Sequence, residues 1–205
     1  MNALPATVNR RILIVDDAAS IHADYAKILG PQSNDDDDLD STERALFGST
    51  AAATAQSFLL DSAFQGLEAL SKVETALAND LPYALAFIDM RMPPGWDGLL
   101  TIERLWQVDP KLQVVLCTAY SDYSWEDIDA RLAFGDRLLI LKKPFDAIEI
   151  RQMANALTTK WKISADAALK IALLEQAVKA NDPQPAELPA AQGSDAPPPL
   201  TEDNR

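Results

Sequence analysis

The sequence predicts an α/β protein built on a parallel sheet, and two observations carry this. Five short apolar runs alternate with longer stretches of helical periodicity, the pattern of βαβ units. Four of those runs also end abruptly in polar residues. Open parallel sheets gather ligand-binding groups in this way, outside the carboxyl ends of their strands.

The first strand is expected over about 11–16, followed by a helix over about 19–29 with Ser20 as its candidate cap. A weaker strand is expected at Ser57-Phe58-Leu59-Leu60-Asp61, then a helix from about Gln65 to Asn79 with Leu67, Leu70, Val73 and Leu77 on its inward face. The third strand is read over 83–89. The helix after Asp97-Gly98 turns Leu99, Ile102, Leu105 and Trp106 inward. A fourth strand over 112–118, a helix over about 124–134 beginning near Ser124, a fifth strand over 137–143 and a helix over about 146–160 complete the alternation.

Two segments stand outside this pattern. Gly30 to Gln56 contains Asp35-Asp36-Asp37-Asp38 and Asp40, and reads as a solvated acidic insertion where a short connection is normal. It lacks the Gly and Glu positions of a Ca²⁺ loop. At the other end, Ser164 to Ala180 reads as a separate helix. Ala167, Ile171, Leu174 and Val178 form a short heptad-like seam that packs either on its own domain or on a second chain, as a homodimer. The expected organisation is a domain over 1–160, a C-terminal helix over 161–180, and a Pro-rich disordered tail or linker over 181–205.

The 205 residues suffice for one domain with extensions. A net charge of −13 argues against a nucleic-acid surface, which needs a basic stripe. No apolar run approaches the length of a membrane span, and Met1 to Arg11 lacks the apolar stretch of a signal peptide. A cytoplasmic protein without membrane contact is expected. The single cysteine, Cys117, cannot form an internal disulfide, and within its apolar run it reads as a buried, inert thiol.

The polar residues at the strand ends carry the chemistry. Asp16-Asp17 follow Ile12 to Val15, Asp89 follows Ala84 to Ile88, Thr118 follows Val114 to Cys117, and Lys143 follows Leu138 to Lys142. If these strands are parallel neighbours, three carboxylates, a hydroxyl and an ammonium meet at one edge. That set suits holding Mg²⁺ beside an aspartate that accepts a phosphoryl group. Carboxylates packed together repel one another, so such a site should be metal-hungry.

Val15-Asp16-Asp17, Asp89-Met90-Arg91-Met92-Pro93, Asp97-Gly98, Thr118-Ala119 and Lys142-Lys143-Pro144-Phe145, in this order, resemble the receiver domain of two-component response regulators over roughly residues 10–160. The resemblance implies a flavodoxin-like three-layer α/β/α sandwich with a five-stranded parallel sheet of order 2-1-3-4-5. It implies Asp89 as phosphoacceptor, with Mg²⁺ held by Asp17, Asp89, Asp16 (mainly through a water) and the backbone carbonyl of Arg91. It implies Thr118, Ala119 and Lys143 at the phosphoryl oxygens. Lys143 is preferred over Lys142 because it directly precedes Pro144, in a Lys-Pro bond that is typically cis in the family. Lys142 remains the alternative. Strand side chains alternate, so the two lysines face opposite ways. The partners implied are a sensor histidine kinase or phosphotransfer protein and a downstream output protein or domain. The single histidine, His22, reads as a surface or rim residue, since a receiver takes its phosphoryl group from a histidine on another protein.

The sequence departs from the family pattern in two places. Met92-Pro93-Pro94-Gly95-Trp96-Asp97-Gly98 is one residue longer than the usual loop, with Pro94-Gly95 a turn signal of its own. Ile140 stands where an aromatic switch residue is usual, so the switch is assigned to Thr118, Ile140 and Tyr120 together. Two rival functions are weighed. One is an Mg²⁺-dependent aspartyl phosphatase, disfavoured because those enzymes carry Asp-x-Asp after the first strand. The other is an input module of a longer cyclic-di-GMP enzyme or hybrid kinase, which a reading frame continuing past Arg205 would support. The expected protein is a signalling module and not an enzyme.

Overall fold

The structure is a computed structural model that describes residues 8–31, 57–119, 128, 131–132 and 135–180. The elements run β1 (Arg11–Val15), α1 (Ala19–Leu29), β2 (Leu59–Ala63), α2 (Gly66–Ala78), β3 (Leu85–Asp89), α3 (Gly98–Val108), β4 (Gln113–Thr118), β5 (Leu138–Lys142) and α4 (Ala147–Ala180). All strands are parallel, in the order β2-β1-β3-β4-β5. This is the flavodoxin-like architecture and the strand order expected from the sequence.

The central strands are buried on both faces, which is why they read as unbroken apolar runs instead of alternating ones. Side chains of one parity, including Leu13, Val15, Ala86, Ile88, Val114 and Leu116, pack with α2 and α3 through Val73, Leu99, Ile102 and Leu105. Those of the other parity, Ile12, Ile14, Leu85, Phe87, Val115 and Cys117, pack with Tyr25 and Leu29 of α1 and with Ile150, Ala154 and Leu157 of α4. The predicted inward residues of α3 are all buried, and Trp106 donates its indole N–H to the Leu112 carbonyl at 2.9 Å.

The edge strand β2 lies two residues later than expected, and Leu59 at its start is 63% exposed. Arg11 on β1 pairs with Asp61 at its centre at 2.8 Å. The Tyr83 hydroxyl also donates to Asp61 at 2.8 Å. Burial acts to raise the Asp61 pKa, but the hydrogen bonds from Tyr83 and Arg11 outweigh it and hold the carboxyl below the usual carboxylate range.

Four local expectations are corrected. Leu67 is 64% exposed, and the inward face of α2 is formed by Gly66, Ala69, Val73 and Ala76, with Leu70 and Leu77 flanking it. Small residues are needed there because α2 lies close to its neighbour: a Cβ on Gly66 would meet Thr101 Oγ1 at 2.2 Å. Ser20 does not cap α1. The cap position is Ala18, whose N–H donates at 2.9 Å to Asp16 Oδ1. Third, a single helix, α4, occupies 147–180 where two were expected. No Gly or Pro interrupts the sequence there, Ser164 lies within the helix, and the Lys162–Asp166 pair at 2.6 Å joins successive turns. Fourth, the other four strands begin or end one to two residues inside their predicted limits. Of the helix expected over 124–134, Ile128, Arg131 and Leu132 are helical, and Ile128 and Leu132 are buried. Its other residues, Ser124 among them, the acidic run within 32–56, and the tail at 181–205 lie outside the described residues.

By its contacts the chain divides into Met1–Ala167 and Ala168–Arg205. The sheet and its packed helices belong to the first unit. Among the described residues, the second consists of the last part of α4.

Gly98 opens α3 directly beneath the end of β3. A Cβ there would stand 2.5 Å from the Asp89 carbonyl oxygen and 2.9 Å from Met90 Cα, both backbone atoms that cannot swing aside. Gly98→Ala is therefore expected to lower the unfolding free energy by about 1–3 kcal/mol. Urea denaturation measures this, and a variant as stable as the parent would contradict the close approach.

Candidate functional site

The strand register fixes which polar residues share the carboxyl edge. Val15 pairs with Ile88, Asp89 with Cys117, and Thr118 with Lys142. Asp16, Asp89, Thr118 and Lys143 therefore end four successive strands, β1, β3, β4 and β5.

The side chains converge on Lys143. Its ammonium lies 2.8 Å from Asp16 Oδ2 and 2.8 Å from Asp89 Oδ1. Burial acts to lower the Lys143 pKa, but hydrogen bonds and charge attraction from both carboxylates outweigh it and raise the pKa above the ordinary lysine value. The backbone seats the lysine as well, because its N–H donates to the Thr118 carbonyl at 2.8 Å. The Lys143–Pro144 bond is cis. Lys142, the alternative, is exposed.

Each carboxylate is also tied to its own loop. Asp16, 4% exposed, accepts the Ala18 N–H on the oxygen that Lys143 leaves free. Asp89 accepts the Arg91 N–H on Oδ2 at 3.0 Å, so this loop holds the aspartate while its other oxygen faces the ammonium. The strand end beneath Asp89 is held by Met90 N–H donating to the Cys117 carbonyl at 2.8 Å, and by Gly98 N–H donating to the Met90 carbonyl at 2.9 Å. Within the lengthened loop, Met90 and Met92 are buried anchors, Pro93–Pro94 is a second cis bond, and Gly95 N–H closes a turn on the Met92 carbonyl. Asp97 serves as the side-chain cap of α3, accepting from Leu100 N–H at 2.7 Å.

Asp17 follows Asp16 but is exposed. Thr118 is buried, and its hydroxyl donates to the Ala119 carbonyl at 2.9 Å. Ile140 stands opposite Leu116, two register positions before the Thr118–Lys142 pair, half-buried against the core on the α2/α3 side. Tyr120 lies outside the described residues. Among the described residues, no group of three or more His, Cys, Asp or Glu is gathered as a ready-made metal site. The donors at the edge, carboxylates and main-chain carbonyls, are nevertheless the hard oxygen ligands that Mg²⁺ takes.

His22 lies at the rim, where its Nε2–H donates to the Asp16 carbonyl at 2.8 Å and its ring packs 4.5 Å from the ring of Phe64. Phe64 was not foreseen. Its position directly after β2 was the available signal, hidden because that strand was placed two residues early. Below the site, Cys117 is buried with its sulfur 3.4 Å from the Tyr25 hydroxyl. Burial pushes the thiol up to about 12 and carries the Tyr25 hydroxyl well above the usual phenol range.

Neither a family profile nor any curated protein matches the sequence. Among solved structures, the likeness is to receiver domains. A response regulator receiver domain protein from Methanospirillum hungatei matches with a TM-score of 0.53 at 19% identity, over 76% of this chain and 98% of its own. The signal receiver domain of an HD domain-containing protein from Pseudomonas fluorescens matches with a TM-score of 0.57 at 18% identity, over 81% and 98%. A structure of an adenylate cyclase from Rhodopirellula baltica matches with a TM-score of 0.56 at 20% identity, over 82% and 98%. At these identities the likeness establishes the fold, which is that of receiver domains.

Two outcomes are expected from the site chemistry. Lys143 has a raised folded pKa, so its stabilising contribution is complete below its unfolded pKa of about 10.4 and is lost as pH rises through the folded value. Lys143→Met should then cost about 1–3 kcal/mol at neutral pH, between the ranges for exposed and buried pairs. The gap to the parent should close in alkaline solution. Denaturation curves across that pH range report it, and a gap independent of pH would contradict the pairing. A thiol reagent at mildly alkaline pH should leave Cys117 unmodified in the folded protein and label it on unfolding. Rapid labelling of the native protein would contradict the burial.

Proposed function

We propose that this protein is a phosphoacceptor receiver of a two-component phosphorelay, with Asp89 as the residue that takes the phosphoryl group. The observation that carries the reading is the convergence of Asp16, Asp89 and Lys143, with both carboxylates 2.8 Å from one ammonium at the carboxyl edge of a receiver-type sheet. Phosphoryl transfer needs positioning and charge neutralisation more than covalent help, and this edge supplies both kinds of group.

In this reading, an Asp89 carboxylate oxygen attacks the phosphorus of a phosphohistidine on a sensor kinase or phosphotransfer protein. The new P–O bond forms as the P–N bond breaks, and the electron pair leaves on the imidazole nitrogen. Asp16, Asp17, Asp89 and the Arg91 carbonyl would hold Mg²⁺, which when bound supplies neutralising charge to the phosphoryl oxygens. Asp17 is exposed, so its carboxylate is open to an ion arriving from solvent. Lys143 is already placed against Asp89 and meets the added oxygens as a point charge. The Thr118 hydroxyl exchanges the Ala119 carbonyl for a phosphoryl oxygen, and the Ala119 N–H donates to another. Tyr120 and Ile140 then report the change, as a population shift read by a downstream output protein or domain. We place this activity in the cytoplasm. Among the described residues, no helix is long and apolar enough to cross a membrane.

A second reading, an input module of a longer signalling enzyme, is favoured by one observation: one of the similar structures is that of an adenylate cyclase. The coding sequence past Arg205 decides it, since a stop codon there would exclude the longer protein.

Incubation with Mg²⁺ and acetyl phosphate, followed by intact mass, tests the main reading. The protein should gain one phosphoryl group and the Asp89→Asn variant none. An unmodified parent, or an Asp89→Asn variant that still gains the group, would overturn it. Turnover of a generic phosphomonoester, lost in Asp16→Asn, would instead favour the phosphatase.

A further inference from the structure

The last part of α4 carries more apolar surface than a solvated helix should. From 147 to 160 the helix buries Ile150, Ala154 and Leu157 in the domain core. From 167 to 179 every residue is exposed. Ile171 is 57% exposed, Leu174 65% and Val178 70%. Isolated helices of this length are marginal in water, and most helical stability in proteins comes from packing an apolar face. Scattered surface leucines need no explanation, but a continuous apolar row does.

The spacing and residue types identify what covers it. Ala167, Ile171, Leu174 and Val178 follow one another at intervals of four, three and four, the d-a-d-a seam of a coiled coil. Both a positions are β-branched, Ile171 and Val178, and the d position between them is Leu174. This combination favours two parallel strands over three or four. The flanking charges agree. Lys170 falls at g and Glu175 at the following e. In a parallel pair these face each other across the seam, Lys170 of each copy against Glu175 of the other, twice by symmetry. In an antiparallel pair with the same seam aligned, g meets g and e meets e, so Lys170 would face Ala177 and Glu175 would face Ala168, and neither charge would find a partner. The parallel orientation is thus the one in which a second copy satisfies both charges.

We infer that residues 167–178 of α4 form a short, parallel, two-stranded coiled coil with a second copy of this chain. Fewer than two heptads are available, so the association is weak and concentration-dependent. It does not rest on the phosphoacceptor reading.

The test uses the full chain. Analytical ultracentrifugation over a concentration series should show a monomer–dimer equilibrium. Leu174→Glu should weaken it by at least about tenfold, corresponding to about 1.4 kcal/mol, with the domain's fold intact because Leu174 is 65% exposed. Lys170→Glu should weaken the dimer, and adding Glu175→Lys should restore it. A Leu174→Cys variant should form an interchain disulfide on mild oxidation, because d meets d in a parallel pair. Leu173→Cys, similarly exposed but off the seam, should not. The only native cysteine, Cys117, is buried and does not compete. A chain that stays monomeric throughout, a charge swap that fails to restore dimers, or equal crosslinking at 173 and 174 would each overturn the inference.

Discussion

Two carboxylates at the edge of a buried sheet repel each other and resist leaving water, and Lys143 answers both problems at once. Its ammonium brings β5 to the ends of β1 and β3 through Asp16 and Asp89. Removing both anions would leave a partly desolvated charge in the lysine, and removing the lysine would leave two in the acids. The main-chain bond from Lys143 to the Thr118 carbonyl adds β4, so four strand ends depend on this one residue. The surrounding loops are arranged to support it. Asp16 holds the turn into α1, Asp89 holds the turn toward the Pro93–Pro94 loop, and each still offers one oxygen to the ammonium.

The same arrangement links the site to the fold beneath it. Gly98 lets α3 start against the Asp89 carbonyl, and Met90 and Met92 anchor the following loop in the core. Cys117 and Tyr25 form a floor whose ionisable groups burial keeps protonated. The charged groups of the site therefore rest on a layer that does not change charge near neutral pH. Any change of charge at the edge must be absorbed by the loops above it.

Much of this was legible in the sequence, because apolar runs buried on both faces end sharply where polar residues begin. That contrast marked Asp16, Asp89, Thr118 and Lys143, and the position directly before Pro144 favoured Lys143 over Lys142. What could not be read had specific causes. The inward face of α2 is made of Gly66, Ala69 and Ala76 around Val73, so a search for bulky apolar residues settled on Leu67 instead. Ser20 has the chemistry of a cap, but α1 already starts at Ala19, so Ser20 lies inside the first turn, and Asp16 accepts the N–H of Ala18 at the cap position. The sequence reading ends a helix near 160, where the resemblance to receiver domains ends, although no residue in that stretch breaks a helix. The second cis bond, Pro93–Pro94, had no distinguishing sign beyond the paired prolines.

The outer strand leads to a final consequence. Among the described residues, β2 pairs on one side only, so its other side presents free peptide groups of the kind that can template addition of a foreign strand. Asp61 stands at the centre of that strand with its carboxyl held ionised by Tyr83 and Arg11. A fixed charge at the middle of an open edge discourages edge-to-edge pairing, and a depressed pKa keeps that guard in place as the solution becomes acidic. The Arg11–Asp61–Tyr83 group thus keeps a polar, hydrogen-bonded cluster on the strand that the core holds least firmly.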